Sequence, residues 1–219
     1  MSSNHRNPTD TMILRPFRRR QFLLGACAAG LVLVGRAVSA DASLGPAEFI
    51  AGLGDRAVSA LTGPDLTQAE RETRFRELLD DHFDVPAIGK FVLGRYWRSA
   101  TEEERQEFLE LFEKLLVRSY ANRFAEYSGE SFEVKGVREE ADGQAIVQSL
   151  VIRPSAENVR VDWRVVRQGN EYRIIDVIIE GLSMAVTQRD EFASVIRSKG
   201  GKLAGLIDVL RQKVGQQQS

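Results

Sequence analysis

The sequence predicts an α+β domain: helices first, then a four-stranded antiparallel curved sheet, then closing helices. Three observations predict it. Apolar residues recur at spacings of three and four from Ala47 to Tyr127, the period of helices that bury one stripe. From Phe132 to Glu180 the period drops to two, with turn pairs at Asp142-Gly143 and Gly169-Asn170. Beyond Ser183 the helical period returns and runs to Val214.

Residues 1–40 read as an export signal. Arg18-Arg19-Arg20 is followed by Gln21-Phe22-Leu23-Leu24 and an apolar run to Val34, and Val38-Ser39-Ala40 supplies the small residues of a cleavage site. Arg19-Arg20-Gln21-Phe22-Leu23 has the form of a twin-arginine signal. The run from Gln21 to Val34 is 14 residues, short of the roughly 20 that a membrane span needs. Leu24-Gly25-Ala26-Cys27 has the outline of a lipoprotein box, but the apolar run continues past Cys27 and places the cysteine inside it. The reading is cleavage after Ala40, a single domain over residues 41–214, and a frayed tail over 215–219.

The composition narrows the chemistry. Residues 1–40 hold six of the 30 basic residues and one of the 31 acidic ones, which leaves 24 basic against 30 acidic. So acidic a chain is a poor partner for nucleic acid. No cysteine and one histidine, His82, remain. Disulfides, thiol catalysis and the common Cys/His zinc sites are therefore not expected. His82 reads as a partly buried core or cap residue, because no second His or Cys completes a site.

In order, Ala47–Leu61 reads as a helix that opens on Pro46 and buries Phe49, Ile50, Leu53, Val58 and Leu61. Gly63-Pro64-Asp65 interrupts it. A second helix runs from about Leu66 to Phe83, with Phe75, Leu78, Leu79 and His82 on its apolar side. A short helix follows at Pro86–Leu93, then Arg95-Tyr96-Trp97-Arg98-Ser99. That cation–aromatic mixture suits either a phosphate contact or a helix junction with arginine stacked on a ring. Thr101 and Glu104 form a capping box at the head of a long helix, expected to reach Tyr127. Its stripe is Phe108, Leu111, Phe112, Leu115, Leu116, Tyr120, Phe124 and Tyr127. The strands are Phe132–Val137, Gln144–Arg153, Val159–Val165 and Tyr172–Glu180; the closing helices, Ser183–Ser198 and Lys202–Val214, flank Gly200-Gly201. The second and fourth strands are apolar on both faces. Either helices cover both sides of the sheet or one side faces a cavity, and the pattern does not separate the two.

No nucleophile elbow and no phosphate-binding glycine loop is present, so the chain does not read as an enzyme and calls for no cofactor or metal. One enzymatic alternative remains: a cone-shaped α+β enzyme acting on a hydrophobic substrate, with Asp162 or Asp176 as a base whose pKa an apolar pocket raises. Against it, Asp162 between Arg160 and Arg164 reads as solvent-facing, and Asp176 as paired with an arginine across the ladder.

Two segments together resemble the MlaC-type phospholipid-binding proteins, also called the toluene-tolerance family. In Phe83–Gly129 the features are the Phe83-Asp84 start, Leu93-Gly94 and Trp97 at the junction, the Phe108, Phe112 and Leu116 helix, and the Tyr120, Tyr127 and Gly129 end. In Tyr172–Phe192 they are Tyr172, Ile174, Asp176 and Val177 in the strand, Glu180, Gly181 and Ser183 in the turn, and Arg189 and Phe192 in the helix. The resemblance implies a carrier in the periplasm that encloses lipid tails in an apolar cavity between sheet and helices. It implies exchange of lipid with an inner-membrane ABC transporter bearing MCE domains and with an outer-membrane lipoprotein–porin complex, maintaining outer-membrane lipid asymmetry. The implied ligand is a phospholipid, with a hopanoid as the alternative. On this reading the lipid-binding candidates are Phe112, Leu116, Tyr120 and Phe124 on the long helix, and Val147, Val151, Trp163, Val165, Ile175, Val177 and Ile179 on strands. Arg95, Trp97 and Arg98 are candidates for the headgroup or the mouth.

Overall fold

The computed structural model describes residues 44–63 and 65–216. The export signal, the twin-arginine pattern and the lipoprotein-like box fall outside those residues, as do residues 217–219 of the tail. Along the chain come α1 (Pro46–Leu61), α2 (Gln68–His82), α3 (Val85–Leu93), α4 (Arg95–Ser99) and α5 (Glu102–Tyr120), then a 3-10 helix (Ala121–Glu126). Strands β1 (Ser131–Glu139), β2 (Gln144–Ile152), β3 (Val159–Gln168), β4 (Glu171–Ile179) and β5 (Leu182–Ser183) follow, then α6 (Met184–Ser198) and α7 (Leu203–Gln216).

The sheet is an open antiparallel meander in the order β1-β2-β3-β4-β5, five strands where the sequence predicts four. The extra strand arises because Glu180 and Gly181 take positive φ, 50° and 82°, which folds the chain straight back on β4. Ile178 then faces Ser183, and Ile179 faces Leu182. Two residues are too few for an alternating pattern to show.

The long helix also departs from expectation. It holds the α form from Glu102 to Tyr120 and then tightens into the 3-10 turn before Tyr127. Its start is as expected: Thr101 Oγ1 accepts from the Glu104 N–H (3.2 Å), and the Glu104 carboxylate accepts from the Thr101 N–H (3.0 Å). A second capping box, Thr67 with Glu70, starts α2.

Two layers build the interior. Helices α3, α5, α6 and α7 pack on one another around Phe108, Phe112 and Phe192, whose ring centroids lie 5.6–5.9 Å apart. Gly89 lets α3 approach α5, for a Cβ there would stand 2.4 Å from Leu109 Cδ2. The second layer is the sheet. In register, Val147 faces Trp163 and Trp163 faces Val177, so these three share its inner face. At one end of that face Ala145, Val147, Val165 and Ile174 are closed over by Phe49, Ile50 and Leu53 of α1.

The outer face explains why β2 is apolar on both sides. Ile146 lies between Arg138 and Arg164 in register and is only 2% exposed. Both arginines pair with Glu140. Their charged ends meet on one carboxylate, and long arginine side chains beside a buried isoleucine can shield it with their aliphatic stems.

Candidate functional site: an apolar cavity between sheet and helices

A cavity of ≈ 200 Å³ lies between the inner face of the sheet and the helices. Leu53, Ala57 and Leu61 of α1 and Phe75, Leu78 and Leu79 of α2 line one side. Phe83, with Ile88 and Val92 of α3, and Phe112, Leu116 and Tyr120 of α5 continue it, and Phe124 of the 3-10 turn closes that end. Trp163, Val177 and Ile179 form its floor, and Met184, Ala185 and Gln188 of α6 its remaining edge. Tyr120, Gln188 and Asp176 are the polar members of an otherwise apolar wall.

Polar clamps at the corners hold these walls. Arg71, 8% exposed, donates from Nε to the Leu61 carbonyl (3.0 Å) and from Nη2 to that of Leu66 (3.2 Å), which locks the α1–α2 hairpin. The Asp84 N–H donates to the Ile174 carbonyl (2.9 Å), and Asp84 Oδ1 accepts from the Ala87 N–H (2.9 Å). One residue thus caps α3 and ties the α2–α3 corner to β4. Asp176 does the same for α6: Oδ1 accepts from the Ala185 N–H (3.0 Å) and Oδ2 from the Ser183 hydroxyl (2.6 Å). In the floor, the Trp163 indole N–H donates to Ser149 Oγ (3.0 Å), and Ser149 in turn donates to the Val161 carbonyl. The indole is thereby fixed in orientation.

Of the eleven lipid-binding candidates, Phe112, Leu116, Tyr120, Phe124, Trp163, Val177 and Ile179 are brought together around the cavity. Val147 and Val165 sit under α1, and Val151 packs with Val159, Val161 and Ile179. Ile175 is the extra residue where β4 slips against Arg164 and Val165, and it does not border the cavity. The mouth candidates also lie off it. Trp97 packs on the helical layer beneath the Arg105 guanidinium (5.4 Å), Arg95 donates to the Tyr96 hydroxyl (2.8 Å), and Arg98 is exposed.

The two carboxylates weighed as bases are placed differently from the sequence expectation. Asp176 stands opposite Arg164 in register, but its carboxylate goes to the start of α6, because β5 brings Ser183 alongside it. Asp162 is 9% exposed rather than solvent-facing, with Arg160 Nε at 3.8 Å and Oδ1 without a hydrogen-bond partner among the described residues. Asp162 does not border the cavity. Sequence reasoning missed the α1, α2 and α6 contributions and the Arg71 clamp. The apolar stripes of those helices were visible, but nothing local said what they faced.

Tyr120 lies deep among protein atoms, and burial raises its phenol pKa; Glu191 adds to that rise and Arg123 opposes it. A second depression, ≈ 390 Å³, lies outside the cavity, between the end of α2 and the β3–β4 turn. It mixes Phe49 and Tyr172 with Arg56, Asp81, His82, Glu171 and Arg173. Arg173 is already committed to the carbonyls of Asp80 (2.8 Å) and Asp81 and to Glu171 (3.6 Å). Such a groove does not suit an acyl chain. No helix among the described residues is long and apolar enough to cross a membrane.

The comparisons with known proteins agree with this geometry. The toluene tolerance protein ttg2D of Pseudomonas putida is 28% identical over 126 residues, which span 57% of this chain and 59% of that protein. The intermembrane phospholipid transport system binding protein MlaC of Haemophilus influenzae is 25% identical over 153 residues, 67% of this chain and 68% of that one. A solved structure of a phospholipid-binding protein from Ralstonia solanacearum, in complex with a phospholipid, superposes with a TM-score of 0.70 at 28% identity. That match covers 79% of this chain and 98% of the other. A family model described as MlaC protein matches residues 53–212, and on that match the chain belongs to the MlaC family.

Proposed function

We propose that this chain is a periplasmic phospholipid carrier that houses acyl chains in the cavity between α2, α5 and the inner face of the sheet. The observation that carries the proposal is the cavity itself: an apolar space inside a small domain, walled by seven of the predicted residues and held open by polar clamps at its corners. Filling it with side chains would stabilise the fold. Leaving it unfilled suits a ligand that brings its own hydrocarbon.

The energetics fit transport rather than storage. Burying a methylene contributes about 0.8 kcal/mol, so two chains of about 16 carbons represent roughly 25 kcal/mol withdrawn from water. Release through water is then negligible, and unloading takes place on a membrane complex. In this proposal the partners are an inner-membrane ABC transporter bearing MCE domains and an outer-membrane lipoprotein–porin complex, and the exchange maintains outer-membrane lipid asymmetry. Export by residues 1–40 places the carrier between them. At ≈ 200 Å³ the cavity is smaller than the roughly 300–1,000 Å³ of common ligand sites. Two chains therefore require α2 and α5 to part from the sheet on loading.

Native mass spectrometry with lipid extraction tests the reading. The expected result is phospholipid bound at about one molecule per chain. Protein that stays lipid-free after purification and after incubation with phospholipid vesicles would overturn the proposal, and a co-purified hopanoid would replace the ligand. The enzymatic alternative loses support because both oxygens of Asp176 are committed to the start of α6.

A further inference from the structure

We propose that Tyr120 is the polar anchor of the cavity: its hydroxyl donates a hydrogen bond to an acyl ester carbonyl of the bound glycerolipid, so that the cavity favours ester-linked over ether-linked chains. The proposal rests on the carrier reading and deepens it.

Tyr120 borders the cavity between Leu116 and Phe124, two apolar residues one turn to either side. None of the hydrogen bonds among the described residues uses its hydroxyl, which is not sealed among the fully buried polar atoms and so can be reached by what enters the space. A phenol on an apolar wall offers its O–H to whatever acceptor enters the space. The polar neighbours that line the same space are bonded to groups other than the phenol. Gln188 gives Nε2 to Glu191 (3.3 Å), and Asp176 holds Ser183 and the Ala185 N–H. The Arg123 guanidinium lies 5.3 Å from the ring centroid, with Arg123 Nε bonded to the Ser119 carbonyl (3.2 Å), a contact that favours this ring position. The donor stands on the wall of the cavity, and a ligand there can supply its acceptor.

The chemistry of that partner follows from what Tyr120 is. Burial raises its pKa, so at neutral pH the phenol keeps its proton and donates. The ligand atom must then be an acceptor. An alkyl chain offers none, and the first acceptor met along an acyl chain is its ester carbonyl. A phosphate oxygen is the other acceptor of a phospholipid, but it carries charge, and desolvating it beside the half-buried Glu191 is unfavourable. A neutral carbonyl meets neither difficulty.

The experiment compares two phosphatidylcholines of equal chain length, one with ester-linked and one with ether-linked chains. Both compete for the delipidated protein against a fluorescent phospholipid. Wild type is expected to bind the ester lipid about 5- to 10-fold more tightly, the size of one buried neutral hydrogen bond. Tyr120→Phe removes the hydroxyl and keeps the ring; it is expected to abolish the preference, so that the ratio of ester to ether affinity falls to about one. A variant that weakens both lipids equally would place the hydroxyl on phosphate or make its role structural, and would overturn the proposal. A wild type that binds both lipids equally would overturn it without any mutation. A wild type that binds neither would overturn the carrier reading as well.

Discussion

Helix α5 divides two interiors built from the same kinds of residue. On one side Phe108, Leu111 and Leu115 meet α3, α6 and α7 in a filled layer, where Phe108, Phe192, Leu206 and Leu210 are fully buried. On the other side Leu116 and Tyr120 look across a cavity to Trp163 and Val177. Hydrophobicity does not distinguish the two; the means of holding the walls does. In the filled layer side chains touch side chains, and dispersion fixes the spacing. Around the cavity the walls are set by hydrogen bonds at the corners: the Arg71 side chain to backbone between α1 and α2, the Asp84 backbone N–H to the β4 backbone with its side chain capping α3, and the Asp176 side chain to backbone between β4 and α6. A protein that must keep an empty apolar space cannot rely on packing to hold that space open.

The largest effect expected from this contrast is on stability. Phe192→Ala empties the filled layer and should cost about 3–5 kcal/mol. Leu116→Ala enlarges a space that already exists and should cost well under half of that. Urea unfolding of the lipid-free proteins measures both, and equal costs would remove the distinction between the two sides.

Asp176→Ala should come next. It strips two of the bonds at the start of α6, where Ser183 Oγ still accepts from the Val186 N–H, and leaves a buried N–H unpaired, a loss of about 1–3 kcal/mol. The loss should also loosen the cavity edge at Ala185, read as faster amide exchange in the first turn of α6. Unchanged exchange there would show that the clamp is not what positions the wall.

Val177→Glu sharpens the comparison from the ligand side. A carboxylate in the floor should lower co-purified lipid at least about tenfold while the variant still unfolds cooperatively. Retained lipid at the wild-type level would show that acyl chains do not rest on Val177.

The smallest effect is a pH dependence at the edge of the closed end, where the His82 ring meets Phe49 edge-on (5.8 Å). Burial, with Arg56 nearby, lowers the His82 pKa below its ordinary 6.5 in the folded protein. The unfolded chain therefore binds the proton more tightly. The His82 contribution to stability is complete above about pH 6.5 and is lost as the pH falls from there through the folded pKa. His82→Asn should flatten that part of the profile of urea midpoint against pH. An identical slope in the variant would assign the dependence to other groups.

Much of the fold is legible in the chain, residue by residue. Thr101 and Glu104 announce the start of α5, Asp142-Gly143 turns β1 into β2, and the alternation of Val159, Val161, Trp163 and Val165 marks a strand. These signals are local: each depends on residues a few positions apart, and backbone geometry repeats them wherever they occur. What lies opposite an apolar face is not local. Val165 and Val177 carry the same side chain on the same sheet face, yet α1 covers the first and the cavity meets the second. Ile146 sits on the outer face of an apolar strand, buried between Arg138 and Arg164 in register. Asp176 reads as a partner for an arginine and becomes the anchor of α6 once the Glu180-Gly181 turn brings Ser183 beside it. The sequence alone determined which residues avoid water, because hydrophobic transfer is a property of each side chain. Only the tertiary structure decided whether they avoid it against protein or across an unfilled space, because that transfer is non-directional and names no partner.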